Sequence, residues 1–210
     1  MAAPTRIFMP PFDAARPAPT TPDFFEERAG LYLGISERER AVQAPRDALT
    51  GLLDRDAIVA HLDRLLADPH GGRQAHCLLL CGVDRFDEIV ARLGQRAGDE
   101  ALRHCADRLR LQLRGIDQIG RYGATEFLVV LVDTDVDAAS AIAERLRHAV
   151  HDDPSDEPAP LQVTVSIGLA QRRAHEERPA CLERAARCLA DARQAGRDRI
   201  VADARRPSPG

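Results

Sequence analysis

The chain has 210 residues, of which 44% are hydrophobic and 30% charged, with a formal net charge of −4. That balance suits one globular domain of ordinary size, and the acidic excess excludes a general nucleic-acid binder. No apolar run approaches the roughly 20 residues of a bilayer span. The opening "MAAPTRIFMPPFDAARPAPTTP" has prolines and Asp13 where a signal peptide needs an apolar core, so a cytoplasmic protein without membrane insertion is expected.

In chain order, residues 1 to about 22 are rich in Pro, Ala and Thr and read as a mobile tail. The stretch "DFFEERAGLYLGISERERAVQ" suggests one short helix or two helical turns. From Asp47 the pattern becomes regular. "DRDAIVAHLDRLLAD" spaces Ile58, Leu62, Leu65 and Leu66 as a helix does, behind an acidic cap. "HCLLLCGV" (76–83) is a continuous apolar run and predicts a buried strand. Helices follow through "EIVARL" and over 97–113, where apolar residues fall at 102, 105, 106, 109 and 113.

"DQIGRYG" and "EFLVVLV" then flank Gly123–Thr125 as the arms of a hairpin. A helix over 138–150, a polar loop "DDPSDEPAP", a β-rich segment 161–170 and a helix over 181–196 complete the series. Gly196 is the expected helix stop, and "RIVAD" supplies a last strand. A hairpin inside such a series predicts an α+β domain with a mixed or antiparallel sheet covered by helices.

The five cysteines include no CxxC pair, and their placement predicts reduced, mostly buried thiols without a metal. All 29 basic residues are arginine. This matters at a site, because arginine forks onto carboxylates, phosphates and purine edges as lysine does not.

Six segments in order, "DALTGLLDR", "LLLCGVDRFDEI", "LGQRAGDEAL", "RYGATEF", "VTVSIGLA" and "AGRDRI", resemble the GGDEF domain, the diguanylate cyclase module of bacterial signalling. The resemblance runs from Asp47 to about Asp203. It implies a nucleotidyl-cyclase-like, ferredoxin-like core with a central sheet of about five strands. The expected layout is a Pro-rich tail with a short helix over 1–46, a degenerate GGDEF domain over 47–204 and a disordered tail over 205–210. Only about 46 residues precede the module, so no substantial sensor domain is expected within the chain.

The resemblance also fixes what the chemistry would need. Joining two GTP molecules requires a divalent metal held by carboxylates, which activates a hydroxyl and polarises a phosphate. The family's ligand at the end of the first core strand falls at Gly82, and its second carboxylate falls at Thr125. The guanine-reading asparagine falls at Val90, the phosphate-facing lysine at Asp87, and a glycine of close backbone approach at Ala124. Asp99, Glu126, Arg193 and Arg197 match family nucleotide-site positions and are read as vestigial. Three of them have a plainer reading: Asp99 as a helix cap, and Arg193 and Arg197 as a solvated face near a helix end. Asp84, two residues along the strand from Gly82, is a conceivable displaced ligand.

Upstream of the hairpin, Arg114 and Asp117 form an R-x-x-D at the spacing of the family's inhibitory product site, and Arg145 matches its third residue. The resemblance implies cyclic di-GMP as ligand there. Guanidinium groups can bind guanine edges or phosphates, and a carboxylate can accept from guanine N1 and N2. The plainer reading is an Arg114–Asp117 pair at the end of the long helix.

The expectation is therefore a non-catalytic cyclic di-GMP receptor, with no Mg²⁺ cofactor, acting through an unidentified protein partner. The alternatives are a nucleotide-independent interaction module, and a residual cyclase using Asp84 and Glu126. A homodimer is among the assemblies the sequence allows.

Overall fold

The structure, a computed structural model, describes residues 44–67, 75–152 and 162–203. The N-terminal tail and its expected helix, most of the polar loop before the β-rich segment, and the tail over 205–210 lie outside the described residues. Within them the order is α1 (Arg55–Ala67), β1 (Cys77–Val83), α2 (Phe86–Leu93), α3 (Gln95–Leu111), β2 (Gln118–Arg121), β3 (Glu126–Leu131), α4 (Val136–His151), β4 (Val165–Gln171), α5 (Arg178–Gln194) and β5 (Ile200–Ala202).

The strands form one sheet in the order β2-β3-β1-β4-β5. β1 runs antiparallel to both β3 and β4, and only β4 and β5 are parallel. β1 lies at the centre and is buried at every position, which is why it reads as an unbroken apolar run rather than an alternation. Its residues nonetheless point alternately to two cores. Leu79 and Cys81 pack with Leu102, Cys105 and Leu109 of α3 and Leu146 of α4. Leu78 and Leu80 pack with Ile58 and Leu62 of α1 and Ala185 and Leu189 of α5.

The helix ends follow local chemistry. Asp54 caps α1 by accepting from the Ala57 amide at 2.8 Å, and Asp135 caps α4 by accepting from Ala138 at 2.9 Å. α5 stops at Gln194, and Gly196 beyond it takes φ +117°, a conformation that favours glycine.

Two expectations need correcting. The β-rich segment expected over 161–170 is strand only from Val165; the Thr164 carbonyl just before it still accepts from the Asp84 amide at 2.9 Å. Asp99 is not a cap: α3 begins at Gln95, and Asp99 sits inside it, accepting from Gln95 Nε2 at 2.9 Å.

All five cysteines are free and buried. Burial pushes the thiols of Cys81 and Cys181 up to about 12, so they remain protonated and unreactive at neutral pH. No helix of the described residues is long and apolar enough to cross a membrane.

β4 and α5 meet at Gly168. A methyl group there would lie 2.1 Å from the Ala185 carbonyl oxygen and 2.4 Å from the Leu189 amide nitrogen. Both are backbone atoms that cannot rotate away. Gly168→Ala is expected to destabilise the domain by about 2–3 kcal/mol, read as a lower urea midpoint with unchanged m-value. A midpoint within error of wild type would refute this packing.

Candidate functional site

Two groups of residues converge, one at the end of β1 and one on the α3–β2 turn. At the first, Gly82 and Glu126 are register partners across β1 and β3, and the Thr125 carbonyl accepts from the Val83 amide at 3.0 Å. The sheet thus sets positions 82, 125 and 126 side by side, as the signature hairpin requires. Gly123 is not in the left-handed region; a Cβ added there would meet Glu126 Oε2 at 3.0 Å and Cβ at 3.3 Å, a tight contact.

The space above Gly82 is taken by Arg193. A Cβ at position 82 would lie 2.2 Å from Arg193 Nη2 and 2.9 Å from its Cζ. The same guanidinium donates from Nη1 to Glu126 Oε1 at 3.1 Å, with both side chains about one-third exposed. A fixed positive charge therefore stands over the strand end and engages the signature's remaining carboxylate. The absence of a side chain at 82 is what makes room for it.

Asp84 is committed elsewhere. Its Oδ1 accepts from Ser166 Oγ at 2.7 Å, and its Oδ2 from Thr164 Oγ1 at 2.8 Å and the Asp198 amide at 3.1 Å. It ties β1, the start of β4 and the α5–β5 turn together. Arg197 and Asp198 in that turn both have positive φ, and Asp198 Oδ1 accepts from Arg147 at 2.7 Å.

Val90, where the resemblance puts the base-reading residue, packs against α3. A methyl on Gly98 would meet Val90 Cγ2 at 2.7 Å and the Phe86 ring at 2.9 Å, so both side chains lie directly against α3. Asp87, in the first turn of α2, is exposed.

These residues do not fit a divalent cation. Position 82 has no donor, Thr125 is neutral, and Glu126 already faces a cation. Among the described residues no group of three or more His, Cys, Asp or Glu is arranged to hold a metal ion.

At the second group, Asp117 is a buried anchor rather than the exposed partner of a surface pair. Its side chain is 1% exposed, against 48% for Arg114. Arg114 donates to it through Nε and Nη2, both at 2.9 Å, and through its backbone amide at 3.1 Å; the Val132 amide adds a fourth contact at 3.3 Å. Arg114 Nη2 also reaches the Val132 carbonyl at 2.9 Å and Thr134 Oγ1 at 2.8 Å. The bond to Asp117, with its charge, raises the Arg114 pKa above its ordinary value. Arg145 of α4 donates to the Gln112 carbonyl at 2.8 Å, on the same turn.

Arg114, Asp117 and Arg145 therefore do gather around one turn. Sequence reasoning missed Thr134 and Val132, which complete this fastening, and the location of Arg193. For the latter the available signal was a glycine in an otherwise bulky strand.

Sheet order, hairpin and flanking helices define a cyclase-like α+β module. The family described as "GGDEF: Diguanylate cyclase, GGDEF domain" matches residues 44–199, and the chain belongs to it. Diguanylate cyclase DgcP of Pseudomonas aeruginosa is 36% identical over 176 residues, 83% of this chain and 26% of that protein. Response regulator PleD of Caulobacter vibrioides is 36% identical over 165 residues, 77% of this chain and 36% of that protein. The chain thus spans about a quarter to a third of these relatives.

Among solved structures, the GGDEF domain of DgcB from Caulobacter crescentus in complex with c-di-GMP superposes with TM-score 0.71 at 27% identity, covering 76% of this chain and 95% of that one. Diguanylate cyclase SiaD from Pseudomonas aeruginosa, in complex with its activator SiaC, gives TM-score 0.72 at 30% identity, covering 86% and 72%.

Proposed function

We propose that residues 47–204 form a non-catalytic receptor for cyclic di-GMP that acts through a protein partner. The observation that carries the reading is Arg193. Its guanidinium fills the space over Gly82 and pairs with Glu126 where cyclase chemistry needs a carboxylate-bound divalent cation. Thr125 and the packed Val90 remove a second metal ligand and the base reader. Asp84 offers no substitute, since both its oxygens are already taken by three donors.

The receptor half rests on Arg114, Asp117 and Arg145, gathered on the α3–β2 turn without need of metal. Guanidinium groups there suit the phosphates and guanine edges of a cyclic dinucleotide. The similarity to a DgcB domain in complex with c-di-GMP supports this ligand, and the similarity to SiaD with its activator SiaC supports a protein partner.

One observation favours a second reading, a nucleotide-independent interaction module. Asp117 already accepts from four donors, so a guanine would have to displace some of them.

Calorimetric titration with cyclic di-GMP separates the two. The receptor reading expects saturable binding at micromolar or lower Kd, weakened at least tenfold in Arg114→Ala. Absent heat, or equal affinity in Arg114→Ala, would favour the interaction module.

A further inference from the structure

Among the described residues the exposed large hydrophobic side chains are Leu93, Leu111 and Ile116; Leu111 ends α3 and Ile116 stands on the α3–β2 connection. Leu111 is the last residue of α3 and is 67% exposed. Ile116 is 54% exposed and sits inside the turn Arg114–Asp117, closed by the Asp117 amide donating to the Arg114 carbonyl at 3.0 Å. A turn corner ordinarily carries Gly, Asn, Asp or Ser, which satisfy backbone or solvent; an isoleucine there gains nothing from the fold. The turn itself is held by Asp117, so Ile116 is not needed to close it.

The surroundings are cationic. The half-exposed Arg114, paired with the buried Asp117, flanks Ile116; Arg145 is anchored on the Gln112 carbonyl between the two apolar residues; and Arg110, paired with the exposed Asp107 at 3.6 Å, lies one residue before Leu111. An apolar centre with a guanidinium rim complements a ligand having flat apolar faces and anionic groups at its edge. The size argues the same way. A stable protein interface buries about 800 Å² per partner, far more than two aliphatic side chains offer, whereas an aromatic ring system buries roughly 150–250 Å².

We propose that Ile116, with Leu111, is the apolar shelf on which a purine face of the dinucleotide packs beside Arg114. The proposal rests on the receptor reading above and adds residues that set preference for a purine face, independent of charge. Shelf packing is non-electrostatic, whereas the Arg114 contribution is screened by salt.

The test is cyclic di-GMP titration of the full chain at low and high salt in wild type, Ile116→Ser, Ile116→Phe and Arg114→Ala. Ile116→Ser is expected to weaken binding about fivefold at both salt concentrations, and Ile116→Phe to tighten it. Arg114→Ala is expected to lose more at low salt than at high salt. Leu111→Ser provides a second variant should Ile116→Ser shift the melting temperature. Wild-type affinity in both serine variants, with binding lost in Arg114→Ala, would overturn the shelf while leaving the receptor reading intact. Absence of binding by the wild type would remove the receptor reading and the shelf with it.

Discussion

Purified protein incubated with GTP and Mg²⁺ or Mn²⁺ is expected to accumulate no cyclic di-GMP by chromatography. The reaction needs metal to make a 3′-hydroxyl nucleophilic and an α-phosphate electrophilic, and two carboxylate positions that would hold it are Gly82 and Thr125. Losing about 3 kcal/mol of transition-state stabilisation at each corresponds to a rate lower by about 10⁴-fold, before Val90 and Asp87 are considered. Restoring a carboxylate alone is not expected to help. In Gly82→Asp the new Cβ would fall 2.2 Å from Arg193 Nη2, so that flexible side chain must shift, and Val90 and Asp87 would still lack the base and phosphate contacts. Gly82→Asp with Thr125→Asp is therefore also expected to be inactive. Turnover by the wild type that disappears in Glu126→Ala would overturn the non-catalytic reading.

Arg184→Ala is expected to cost about 3–5 kcal/mol of stability. Arg184 is 5% exposed, and its guanidinium is shared between Glu176, Asp203 and the Gln171 carbonyl at 2.7 Å. It joins α5 to the end of β4 and to the chain leaving β5. Removing it leaves Glu176, itself only 10% exposed, with the Arg173 amide as its hydrogen-bond donor at 2.9 Å.

The same cluster sets an acid limb. Burial tends to raise the Glu176 pKa, but the bonds from Arg184 and from the Arg173 amide more than offset it, and the folded-state value lies below the ordinary 4.5. A depressed carboxylate binds protons more readily in the unfolded chain, so stability rises with pH across this window. The contribution is complete above about 4.5 and is lost as pH falls through the lower folded-state value. Urea midpoints between pH 7 and 3 are expected to fall less steeply in Arg184→Ala than in wild type. Parallel slopes would refute the assignment.

What local pattern encodes was legible without coordinates. The apolar run at 77–83, the hairpin arms about Gly123, the helical spacing from Ile58 to Leu66 and the Asp54 cap all depend on neighbours a few residues away. An α+β domain with a mixed or antiparallel sheet covered by helices followed from their order, and the GGDEF family from motifs in register. The sequence also placed Arg114, Asp117 and Arg145 in one group, through the resemblance alone.

It did not reveal what those side chains touch. Asp117 could be read as an exposed partner of Arg114, because nothing local says that the amide of Val132, 15 residues on, would close over it. Arg193 could be read as part of a solvated face, because its partner Glu126 is 67 residues away and the cavity it fills exists only once α5 lies across β1. Asp84 looked available for a metal until Ser166, Thr164 and Asp198 were brought to it across the sheet. Secondary structure and family are written in short-range periodicity and motif spacing. The state of a carboxylate or a guanidinium is decided by whichever distant group the packed sheet sets within 3 Å, and only the tertiary structure holds that information.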